Sequence, residues 1–115
     1  HAVWEHVFTA GQELHCVVAA AGRVLLAVDD RVEVFDPALR RFERSLRLGA
    51  PCHYLAAIWP GQVAAFCGHD LWRVDPLGGQ AERLGALPGR ADTATATPDG
   101  QVYVGVGTEL YRVDA

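Results

Sequence analysis

The chain has 115 residues, enough for one domain and too few for two. Half of them are apolar and 21 % are charged, with a formal net charge of −4 and no basic cluster or tail, so a fold with a core is expected and nucleic acid is not expected as a partner. No apolar run approaches the ~18 residues that span a bilayer, so no membrane association is expected either.

Taken in order, the elements are short. VWEHVFTA (3–10) reads as a strand that mixes polar and apolar residues. CVVAAA (16–21), VLLAV (24–28) and RVEVFD (31–36) follow as apolar runs, and FERSLRL (42–48) is more polar. The stretch PALRRFERSLRL (37–48) has some helical character. Its counterparts, QAERLGAL (80–87) and WEHVFTA (4–10), read as strands, and register outweighs local propensity. HYLAAIW (53–59), VAAFC (63–67) and LWRVD (71–75) form a second set of runs, and TATAT (93–97), VYVGV (102–106) and LYRVD (110–114) a third. Runs of five to eight residues split by Gly, Pro and Asp predict antiparallel strands joined by hairpins.

The sets repeat. RVLLAVDDRVEVFDP (23–37), QVAAFCGHDLWRVDP (62–76) and QVYVGVGTELYRVDA (101–115) follow one another at 39-residue spacing. Gly22, Gly61 and Gly100 keep that spacing, and so do Asp36, Asp75 and Asp114. A period in this range signals stacked structural repeats. Four strands in about 40 residues make the blade of a β-propeller, here lettered a to d from the axis outward. The Asp-Pro pairs after strand c predict tight turns in which the Asp side chain bonds its own backbone.

With its PDG turn (98–100) and its LWRVDP and LYRVD strand ends, the chain resembles β-propeller repeat proteins of the quinoprotein-like, YVTN-like and SMP-30/NHL-like kinds. No Gly-His pair opens each blade and Val-Asp or Phe-Asp stands in place of Trp-Asp, so it is not a good WD40 match, nor does it match the kelch double-glycine pattern. The expected fold is all-β, one domain over 1–115. Strand d covers 3–10, abc-d blades cover 15–48 and 53–87, and an abc blade covers 92–114. Three blades leave two apolar flanks bare, so the chain is expected to form a six-bladed ring as a C2 homodimer, each N-terminal strand completing the other copy's last blade. The alternative is a longer propeller partner. The chain contains no Met, so its N-terminus is expected to be processed or cut from a longer protein.

The resemblance implies ligand binding over the axis, at the face of the d–a and b–c loops. Glu13, His15, Asp30, His53, His69, Asp70, Asp92 and Glu109 fall there and are the candidate ligand-binding residues. His15, His53 and Asp92 are candidate metal ligands by type, set against solvated loop polarity; no HxH or HExxH spacing supports them. The expected function is binding or scaffolding, not catalysis, with no cofactor identified and a small molecule or glycan as ligand. A metal-dependent lactonase-like hydrolase and a small oligomeric propeller lectin are the alternatives. The lactonase pattern uses asparagine, which this chain lacks. Trp4, Trp59 and Trp72 read as blade packing, and Arg73 and Arg112 as cross-strand ion pairs or stem packing. Ser45 is the only serine and suits no nucleophilic triad. Cys16, Cys52 and Cys67 are expected as buried free thiols in a reducing, cytoplasmic setting, with one disulfide and a free thiol as the alternative.

Overall fold

A computed structural model describes residues 2–114, which form eleven strands and no helix. The first sheet has the order β1 (Leu14–Ala20), β2 (Arg23–Val28), β3 (Arg31–Asp36), β4 (Arg41–Arg47). The second repeats it with β5 (Cys52–Trp59), β6 (Gln62–Cys67), β7 (Asp70–Asp75) and β8 (Gln80–Ala86). The third contains β9 (Ala91–Ala96), β10 (Val102–Val106) and β11 (Glu109–Val113), and the outer edge of β11 carries no fourth strand among the described residues. Every pairing is antiparallel.

The stretch with helical character, 37–48, supplies β4 instead. Its phase changes at a register shift between Val34 and Phe35. Phe42 then faces one side of the sheet, against Phe35 (ring centroids 5.0 Å apart), and Leu46 the other, beside the first core cluster. A helix would set these two residues, four apart, on one face and could not send them to opposite sides of the sheet.

Two seams form the core. Leu25, Ala27, Val32 and Val34 of the first sheet meet Leu55, Val63, Ala65 and Val74 of the second. Ala64, Phe66 and Leu71, on the second sheet's other face, meet Ala91, Val102 and Val104 of the third. Strands β2 and β6 are therefore apolar on both faces, since each residue parity meets a different neighbour. Each buried Leu, Val or Phe contributes about 1.5–3 kcal/mol of transfer free energy, which makes the seams the main source of stability.

The repeated residues have local roles. Gly22, Gly61 and Gly100 take positive φ (73°, 68° and 89°) in the turn after each innermost strand, a region costly for residues with a Cβ. The Asp-Pro turns form as expected. Asp36 Oδ1 accepts from the Ala38 and Leu39 amides at 2.9 and 3.3 Å, and Asp75 Oδ1 from those of Leu77 and Gly78 at 3.1 and 3.0 Å. Asp36 is buried, with Arg23 3.7 Å from it.

Residues 3–10, expected as an outer strand, pair with no strand among the described residues. They lie against the free flank of the first sheet instead. The Phe8 ring is 4.6 Å from Phe42, and Glu5 lies 3.1 Å from Arg40. The exposed large apolar residues include Val7, Phe8, Leu14 and Val17 on this flank, Val3 and Trp4 just before them in the chain, and Leu110 and Tyr111 at β11; Leu39 and Leu77, in turns, are the others.

The cysteines differ from expectation. Cys52 and Cys67 are directly opposed on β5 and β6 and form a disulfide, while Cys16 is free. Their Cα atoms are 3.9 Å apart, because the two strands place them as a facing pair at the buried start of the hairpin. The expectation of three free thiols is thereby corrected.

Candidate functional site

Each innermost strand carries the same irregularity near its start. Leu14 pairs with Val28 and Cys16 with Ala27, which leaves His15 out of the ladder. Cys52 pairs with Cys67 and Tyr54 with Phe66, which leaves out His53. Ala91 pairs with Val106 and Thr93 with Gly105, which leaves out Asp92. The three candidate metal ligands are therefore equivalent bulge residues, one per sheet. A bulge frees one residue from pairing and re-aims its side chain. Sequence spacing hides this equivalence, because the step from Leu14 to Cys52 is shorter by a single position than the period that strands b and c keep.

His53 is the anchored member. Its Nε2–H donates to the Ala91 carbonyl at 2.7 Å, tying the second sheet to the third. Burial pushes its pKa below the ordinary 6.5, and Arg90 and His15 push the same way; the Ala91 carbonyl and Asp92 oppose them without prevailing. The imidazole is thus biased toward its neutral form. His15 and Asp92 are exposed. Among the described residues no group of three or more His, Cys, Asp and Glu side chains is arranged to hold a metal ion. In the single chain, the three bulge residues do not converge as a ligand set.

The other candidates divide into two kinds. Asp30 accepts from Arg47 at 2.9 Å, and Asp70 from Arg83 at 2.9 Å, so both carboxylates pin an outer strand to a b–c turn. Main-chain bonds reinforce these ties: the Leu48 amide donates to Asp30 O at 2.8 Å and the Leu87 amide to His69 O at 2.7 Å. Arg47 and Arg83 were not singled out by the sequence; each lies on an outer strand, Arg47 at the end of β4 and Arg83 in the middle of β8. Glu13, His69 and Glu109 are exposed. Arg73 stacks on an aromatic ring, its guanidinium 4.7 Å from the Trp59 ring centroid.

A separate cleft of about 880 Å³ runs along β5 and β9 toward the Trp59–Pro60 and Pro98–Gly100 turns, the opposite end of the inner strands. Small side chains such as Ala56, Ala94 and Ala96 line it, and none of the eight candidates does.

No family model and no curated protein matches the chain. Solved structures do. The chain is similar to the extracellular domain of the hybrid two-component system BT4673 from B. thetaiotaomicron, with 17 % identity and a TM-score of 0.70 over 94 % of this chain and 16 % of that one. It is also similar to the N-terminal domain of Nup159, with 15 % identity and a TM-score of 0.53 over 89 % of this chain and 30 % of that one. A further match is to S. cerevisiae Nup159 in a complex with Dbp5 and Gle1, with 14 % identity and a TM-score of 0.52 over 91 % and 32 % of the two chains. The fold is propeller-like. The chain spans between about one sixth and one third of the length of these neighbours.

Proposed function

We propose that the chain supplies three blades of a six-bladed ring completed by a second copy, and that the ring binds a polar small molecule, glycans included, over its axis. The observation that carries the binding reading is the set of matched bulges, which turns His15, His53 and Asp92 out of the ladder at one end of the inner strands. A ring would double that set. The apolar side chains exposed on the first sheet's free flank support the ring, since soluble proteins rarely leave such patches bare. The Cys52–Cys67 disulfide suits an oxidising compartment, and the extracellular domain among the neighbours is compatible with one.

Light scattering tests the ring: twice the 12.4 kDa chain mass is expected, and a folded monomer at every concentration would refute it. Histidine ring resonances test the site. A panel of sugars and small carboxylic acids should yield a ligand that shifts His15 and His53 and leaves His6 unmoved. Ligands that move only residues of the Trp59 turn would assign binding to the opposite end.

A further inference from the structure

We propose that residues 3–10 add as the missing outer strand to β11 of a second copy, with Glu5 of one copy facing the partner's Arg112. This rests on the two-copy ring and specifies how its halves join. Three observations carry it. First, residues 3–10 already occupy an outer-strand position. Phe8 holds the place of Leu46 one repeat earlier; Leu46 packs into the seam between the first and second sheets, and Phe8 packs on the first sheet's free flank at Phe42. The segment therefore stands to the first sheet as β4 stands to the second, and among the described residues no strand pairs with it. Its own β11 is two sheets away, and in the two-copy ring the partner's β11 provides the pairing edge.

Second, the second sheet supplies the register. Arg73 on β7 is directly opposite Glu82 on β8. Arg112 holds the Arg73 position one repeat later, on β11. Glu5 holds the Glu82 position two repeats earlier, with Glu43 as the intermediate copy. In the single chain these two side chains are spent on exposed contacts, Glu5 with Arg40 at 3.1 Å and Arg112 with Asp114 at 4.0 Å. Opposite charges directly across an antiparallel pair fix its register, and like charges there oppose it.

Third, the flanks are complementary. An apolar groove of about 440 Å³ lies between Val7 and Phe8 on one side and Leu14, Val17 and Leu26 on the other. Val102 and Val104 point into the inner seam, so Tyr103 and Leu110 occupy the opposite face of the third sheet; Leu110 is 73 % exposed. Joining the copies brings that face to the groove.

Sedimentation equilibrium on the wild type, Glu5→Arg, Arg112→Glu and an equimolar mixture of the two variants tests the pairing. Each single variant sets like charges opposite one another twice per dimer and weakens self-association roughly tenfold. A mixed dimer has opposite charges at both joints, so the mixture regains wild-type affinity. Both residues are exposed in the single chain, so neither change disturbs its core. A wild-type dimer whose mixture associates no better than the single variants would overturn the strand exchange and leave the ring standing. A wild type that never dimerises would overturn the ring as well.

Discussion

Replacing Phe66 by Ala tests whether the second and third sheets share a packed seam. Phe66 is fully buried on β6, with its ring centroid 5.8 Å from that of Tyr54. It belongs to one cluster with Leu71, Ala91, Val102 and Val104, so its ring joins two sheets. Truncation removes the transfer free energy of the ring and leaves a cavity, because Ala64, Ala91 and the valines are too short to fill the space. Core Phe→Ala changes cost about 3–5 kcal/mol, a large fraction of the roughly 6–17 kcal/mol expected for a domain of this length. With a urea m-value of about 2 kcal/mol/M, the midpoint falls by about 2 M. Tryptophan fluorescence reports it, since Trp59 packs beside the same cluster. A midpoint shift below about 0.5 M would mean that no such seam exists, and the sheet arrangement argued from it would fail.

The cysteine pair gives a second prediction. Cys52→Ala with Cys67→Ala removes a cross-link spanning 15 residues and lowers stability by about 3 kcal/mol. Reductant should destabilise the wild type and leave the double variant unchanged; three titratable thiols in the unreduced, denatured wild type would contradict the bond. His53 gives a third, with a defined sign. The unfolded chain takes up a proton near the ordinary 6.5, and the folded chain only at lower pH. Its share of stability is complete above that value and declines as pH falls from 6.5 toward the lowered folded pKa. His53→Gln keeps an N–H for the Ala91 carbonyl and flattens that part of the curve; equal slopes in the two proteins between about pH 5 and 7, measured by thermal melting, would refute it.

Much of the fold could be read from the residues because the chain states its pattern three times. A single VLLAV is ambiguous between buried strand and buried helix. VLLAV, VAAFC and VYVGV at one spacing, each preceded by a turn glycine, are not. Asp36 and Asp75 were legible for the same reason, since Asp-Pro after a strand leaves the carboxylate few local partners other than the next amides. What escaped were features that depend on register. Cys52 and Cys67 become neighbours only once the shift between Cys52 and Tyr54 is known. The equivalence of His15 and His53 is likewise masked by the one-position offset in β5. Asp30 and Asp70 read as free loop carboxylates because their partners, Arg47 and Arg83, lie 17 and 13 residues away on the outer strands.

The bulges also separate architecture from chemistry. His15 and Asp92, exposed and outside the ladder, can change identity without altering strand pairing or the apolar seams, whereas His53 also ties two sheets together. This chain already uses imidazole at two such positions and a carboxylate at the third. At its two exposed positions such a rim can be rewritten one blade at a time while the scaffold stays constant.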